Sequence, residues 1–283
     1  MNADIPLSNG ESPPLLPSPS GGVPTRSRWR WLIHLVILVA YPVVIGAIGA
    51  GRAGAQGPAL GHGPKGLVIV FGIQFVIFAV VFALAWLASR ATCEDLLCRW
   101  RGGLKVVPLG LLYSILLRLA LGVITLVVVA LLIAAHLIRA EDVPQLATAN
   151  RPDVGALVDV SALRHNPLYF WLTITLVSFV LAGFREELWR SGVLAGLRVL
   201  WPGHFSSNQG QVIAATLAAV VFGLGHLAQG PLAACGAGLL GLGLGLIMVF
   251  HRSIWPAVIA HGAFDATTFA LLPWLLEKLQ SLR

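Results

Sequence analysis

The chain has 283 residues, of which 57% are hydrophobic and 11% charged, with a mean hydropathy of +0.83. A soluble domain is about 25% charged and needs that polar exterior, so a soluble enzyme is excluded as the first reading. Disorder is excluded by the same hydrophobicity, and the natural solvent is a bilayer. The net charge is +7; in so apolar a chain it marks cytoplasmic loops and not a nucleic-acid partner. Three cysteines, Cys93, Cys98 and Cys235, make no disulfide framework and no Cys-x-x-Cys site.

Residues 1–29 form a Pro/Ser/Gly-rich tail that cannot pack, expected to be disordered and cytoplasmic. Residues 30–283 read as one integral membrane domain. About 20 apolar residues cross a bilayer. On that measure the first span runs roughly over Trp31–Ala50 and the second over Leu67–Ala88. The stretch Val106–Ile138 is too long for one simple crossing and contains Arg118. It divides most economically into an interfacial helix at 106–117 and a span at 119–138, with Arg118 snorkelling to the boundary. Residues 139–167 are polar, carry three prolines and read as a loop. A fourth span starts near Leu168 and stays helical to about Leu200, where Trp201-Pro202-Gly203 stops it. Three more follow at about Val212–Leu227, Leu232–Phe250 and Ile254–Leu272, then a short amphipathic tail. The expected fold is therefore all-α: a polytopic bundle of about seven spans plus interfacial helices.

With the N-terminus inside, twelve Lys and Arg fall on the inner side and seven on the outer. That bias favours a cytoplasmic N-terminus in a plasma or inner membrane.

The informative residues are ionisable groups inside apolar sequence. Each costs roughly 2.5–3.5 kcal/mol at a helix centre, so a chain keeps them there for a reason. Three clusters qualify. FVLAGFREELWRSGVLAGL carries Glu186, Glu187 and Arg190; VVFGLGHLAQG carries Phe222 and His226; IWPAVIAHGAFDATTFALL carries His261 and Asp265. Glu186 and Arg190 are i,i+4 on one helical face, Glu187 and Arg190 are i,i+3, and one guanidinium can serve either carboxylate. His261 and Asp265 are also i,i+4, and Phe222 and His226 share a face. Short loops between the last spans make them packing neighbours, so these groups can meet inside one bundle. Together they can activate a water: a glutamate as base, a histidine to share the proton, a second histidine to stabilise an oxyanion. The remaining histidines lie at span ends or in loops and receive no role.

These residues resemble a known family. Glu186-Glu187-Leu188-Trp189-Arg190 reads as EExxxR, Phe222 to His226 as FxxxH, and His261 to Asp265 as HxxxN/D. In this order, over roughly 168–272, they resemble the CPBP intramembrane proteases. That family groups CAAX-processing endopeptidases of the Rce1 type with bacteriocin-processing and immunity homologues. The resemblance implies a polytopic α-helical protein cleaving peptide bonds of membrane-anchored proteins or peptides at the bilayer. It implies that Glu186 and His226 activate water, that Glu187 and Arg190 support the site, and that His261 with residue 265 forms the oxyanion corner. Two departures stand out. Ser191, not glycine, follows the motif arginine. Asp265 stands where members often have asparagine, and an ionised aspartate cannot donate to an oxyanion.

A metal-free, glutamate-dependent site is expected, with no other cofactor. Zinc held by Glu186, His226 and His261 is the alternative, although no His-Glu-x-x-His helix is present. The stretch Gly236 to Gly241 fits GxGxxG but sits in an apolar span, so a dinucleotide role is discounted; Gly241 and Gly245 instead suit close helix packing. Two other functions are kept beside the peptidase. One is a non-proteolytic immunity or scaffold protein of the same fold. The other is a transporter, for which no internal repeat is visible.

Overall fold

The structure is a computed structural model that describes residues 25–51, 57–150 and 155–281. Most of the expected tail, residues 1–24, lies outside the described residues. The first helix, α1 (Thr25–Gly51), takes in residues 25–29. It is followed by α2 (Gly63–Ser89), α3 (Val106–Ala134), two short helices α4 (Val143–Ala149) and α5 (Val160–His165), α6 (Pro167–Leu200), α7 (Asn208–Leu224), α8 (Pro231–His251) and α9 (Trp255–Ser281). No strand occurs among the described residues. Six helices, α1, α2, α3, α6, α8 and α9, are long and apolar enough to cross a membrane. Helix α7 has 17 residues and is about 25 Å long, a shorter apolar member of the same bundle. The molecule is an all-α polytopic membrane protein.

The expected break in the third span does not occur. Val106–Ala134 is one unbroken helix of 29 residues. Gly122, one turn beyond Arg118, does not break the helix, and continuing the backbone ladder avoids exposing peptide groups to lipid. Arg118 therefore stays on the helix and finds partners on α9 instead of reaching for the boundary. The expected loop 139–167 carries the two short helices. Asp159 opens α5 by accepting from Ala162 N at 2.9 Å, and Asn166 opens α6 by accepting from Tyr169 N at 3.0 Å. Helix α6 ends at Leu200, where the residue before a proline leaves the helical region.

One feature of α6 has no counterpart in sequence pattern. Over Thr173–Glu186 its backbone takes the wider π-type winding, and ordinary α-geometry resumes at Glu187. Such widened turns are rare and gather at functional sites.

The helices carrying the polar clusters approach closely where glycine permits it. A Cβ on Gly183 would lie 2.8 Å from the Val258 carbonyl oxygen and 3.4 Å from Gly262 N. Backbone of α6 thus nearly touches backbone of α9. A Cβ on Gly241 would lie 2.9 Å from Phe222 Cδ1 and 3.2 Å from Arg190 Nη2. Its missing side chain is the space those two groups occupy, as the packing role expected of Gly241 requires. All three cysteines are free. Burial pushes the Cys98 thiol up to about 11, so it stays protonated and unreactive at neutral pH.

Candidate active site

The two adjacent glutamates face different surroundings at the point where α6 changes winding. The side chains of Glu187 and Arg190 have no exposed surface and form an ion pair. Arg190 also stacks its guanidinium over the Phe222 ring, 4.7 Å from the centroid. Burying a charge this completely costs several kcal/mol unless a partner answers it. Here a guanidinium, an aromatic face and a histidine all do so. Glu186 keeps 17% of its side chain exposed. It accepts from Arg185 Nη2 at 2.9 Å, and Arg185 in turn donates to Gln74 Oε1 of α2 at 3.1 Å.

His261 joins the pair from α9. Its Nδ1 donates to Glu187 Oε1 at 3.0 Å. Its Nε2 lies 3.8 Å from Glu186 Oε2 and 3.9 Å from Asp265 Oδ2. Those two separations exceed a hydrogen bond, so Nε2 faces a gap bordered by two carboxylates. Asp265 keeps 26% of its side chain exposed. Glu186, Glu187, Arg190, His261 and Asp265 therefore form one connected group.

His226 sits just past the end of α7. Its Nδ1 lies 2.8 Å from the Phe222 carbonyl oxygen. A carbonyl can only accept, so Nδ1 carries the hydrogen and the neutral ring keeps an accepting Nε2. The link from His226 to the group runs through Phe222. The two rings are 4.5 Å apart, and the same Phe222 meets His261 edge-on at 6.4 Å. Phe222 thus touches three of the candidate residues, which gives the aromatic position of FxxxH a physical role.

Several contributors escape sequence reading. Arg185, not among the candidates above, forms an ion pair with Glu186. Gln74, set in the middle of the apolar run of α2, supports it; a polar residue so placed is the available signal. Trp189 donates Nε1–H to the Leu38 carbonyl at 2.7 Å and fastens α6 to α1. His34, read as a span-end residue, is fully buried. Its Nδ1 and Nε2 lie 2.9 and 3.1 Å from the carbonyls of Ala85 and Gly192, tying α1 to α2 and α6 two residues beyond Arg190.

The glutamate motif needs a correction. Two residues, not three, separate Glu187 from Arg190, so the element is one residue shorter than EExxxR. Counted back from Arg190, the longer motif would set its second glutamate at Glu186 and its first at Arg185. The i,i+3 pairing of Glu187 with Arg190 follows from this shorter spacing.

Among the described residues, no three His, Cys, Asp or Glu side chains converge as ligands for an ion. His261 has Nδ1 committed to Glu187, and His226 has Nδ1 committed to Phe222. Bonds of this kind through Nδ1 are the usual outer-shell support of a histidine that ligates through Nε2, so they do not argue against zinc on Glu186, His226 and His261; no step below runs through a metal.

Residues 167–267 match the family model of the type II CAAX prenyl endopeptidase Rce1-like proteins. The matched segment begins with α6 and contains Glu186 to Arg190, Phe222 to His226 and His261 to Asp265, so the resemblance holds over these residues. No curated protein and no solved structure matches the chain. The class is thus an integral multi-pass α-helical membrane protein. Its site-bearing C-terminal part is similar to the Rce1-like endopeptidases.

Proposed function

We propose that the protein is an intramembrane endopeptidase that hydrolyses peptide bonds of membrane-anchored proteins or peptides without a metal. The observation that carries this reading is the split between adjacent carboxylates. Glu187 is sealed in with Arg190 and His261, while Glu186 keeps part of its side chain exposed beside the free Nε2 of His261. The partly exposed carboxylate is the one that can act on a water; the sealed one holds the site together.

In this mechanism Glu186 accepts a proton from a water, and the resulting hydroxide oxygen bonds to the substrate carbonyl carbon. The carbonyl π electrons move onto oxygen. His261 stabilises that oxyanion from Nε2, a role that needs hydrogen on Nε2. The imidazolium form supplies it while Nδ1–H stays on Glu187. As the oxyanion electrons re-form the C=O bond the C–N bond breaks, and the proton held by Glu186 passes to the leaving nitrogen by way of the accepting Nε2 of His226. Glu187 and Arg190 fix the His261 ring. The loop charge bias supports a cytoplasmic N-terminus in a plasma or inner membrane.

The test compares membrane peptides from cells carrying the native chain with those carrying Glu186→Ala. The expected result is a set of cleavage products that disappears in the variant. Identical peptide sets, with the variant inserted and folded, would favour a binding role for the same fold.

A further inference from the structure

Each oxygen of the Glu186 carboxylate has a different neighbour. Oε1 accepts from Arg185 Nη2 at 2.9 Å, while Oε2 lies 3.8 Å from His261 Nε2, on the side of the gap. Arg185 is the next residue back along α6. Side chains at adjacent helical positions do not face each other, so this contact needs something that turns the guanidinium toward Glu186. Gln74 of α2 supplies it. Arg185 Nη1 donates to Gln74 Oε1 at 3.1 Å; an arginine offers only hydrogens, so the amide must present its oxygen. The two ends of one planar fork thus join Gln74 on one helix to Glu186 on another.

Holding α2 against α6 does not require this bond. Leu67, Phe71 and Phe75 of α2 share an apolar cluster with Val177 and Leu181 of α6. Gln74 stands in the run FGIQFVIF, where a polar side chain is costly and marks function. What the bond does fix is which carboxylate oxygen is occupied. A carboxylate accepts at both oxygens. With Oε1 tied to Arg185, Oε2 is left to take the proton of a water beside His261.

We propose that Gln74 and Arg185 form a positioning relay for Glu186: Gln74 sets the guanidinium, and the guanidinium sets the carboxylate with Oε2 toward the reacting water. The inference rests on the peptidase reading above. It adds α2, outside the matched segment 167–267, to the functional unit. The relay acts through Glu186 and not on substrate, so its loss slows turnover and leaves KM in place.

Turnover by the full-length protein in proteoliposomes tests this. The probe is a membrane-anchored peptide carrying the cleavage sequence found by the peptide comparison. Gln74→Met replaces the amide with an apolar side chain of similar length and should unfold at the native temperature. Its kcat is expected to fall about 10-fold with KM held, short of the loss of about 100-fold or more for removing the general base itself. Gln74→Glu keeps an acceptor oxygen at the same reach, protonated or not, and should stay within about 3-fold of the native kcat. In an Arg185→Met background, Gln74→Met should change kcat by less than about 2-fold, because residues of one hydrogen-bond network are non-additive. Native kcat in Gln74→Met would overturn the proposal. So would equal losses in Gln74→Met and Gln74→Glu, or a loss that repeats in full in the Arg185→Met background. A Gln74→Met protein that unfolds at a clearly lower temperature would make the bond a fastening of α2 to α6 and overturn it too. Full activity of Glu186→Ala is a separate result that would defeat the peptidase reading itself.

Discussion

His261 donates its Nδ1–H to Glu187 Oε1 at 3.0 Å, across 74 positions of the chain and with both side chains almost wholly enclosed. This bond, and the Glu187–Arg190 ion pair beside it, fasten α9 to α6 at the site. It turns the other ring nitrogen toward Glu186. The arrangement separates holding the site from doing its chemistry.

Glu187→Ala removes the partner of a fully buried arginine and frees the His261 ring. Breaking a buried pair costs about 3–5 kcal/mol, so the variant should unfold at a clearly lower temperature in detergent. Glu186→Ala touches a partly exposed group and should cost only about 1 kcal/mol. Equal losses in the two thermal scans would contradict the division of roles.

Gly183→Ala introduces a methyl 2.8 Å from the Val258 carbonyl, a backbone atom that cannot swing aside. Overpacking of this kind costs about 1–3 kcal/mol and should push α9, with His261 and Asp265, away from the glutamates. Both stability and turnover should fall. Gly203→Ala meets nothing within 4 Å and serves as the control; a Gly183→Ala protein that behaves like it would show that the α6–α9 contact does not set the site.

Away from the spans, Asp159 offers a pH test. The Ala162 backbone N–H holds its carboxyl below the usual carboxylate range, helped by Gly63 N–H and His62. A folded-state value below the unfolded one stabilises the protein above the unfolded value, and that contribution disappears as pH falls through the folded one. Asp159→Ala should therefore cost about 1 kcal/mol, the usual worth of a helix cap, at neutral pH. The difference from the native protein should vanish in acid. A gap that persisted or widened in acid would contradict this assignment.

Much of this was legible in the sequence, because lipid makes polar residues costly and so makes them conspicuous. Scarce charges in apolar runs pointed to Glu186, Glu187, Arg190, His226, His261 and Asp265, and the glycines foretold the close crossing at Gly241. The rest depended on partners distant in sequence. Nothing near Arg118 announces Phe264, Thr267 and Thr268, so the sequence pattern suggests a boundary charge and a break where the structure has one continuous helix. His34 looked peripheral because its carbonyl partners, Ala85 and Gly192, are backbone atoms without a side-chain signature. The wide winding of Thr173–Glu186 leaves no trace in a 3.6-residue periodicity.

Metal removal probes the chemistry independently. Protein purified and stripped in chelator should keep its cleavage rate, since no step proposed here uses an ion. Complete loss that zinc restores would return the alternative set of Glu186, His226 and His261 to the mechanism.

The most direct measurement is cleavage of the membrane-anchored peptide by purified protein in proteoliposomes, comparing the native chain with Glu186→Ala and His226→Ala. The account predicts that both variants insert, unfold near the native temperature and release no product. Cleavage at the native rate by both would contradict it.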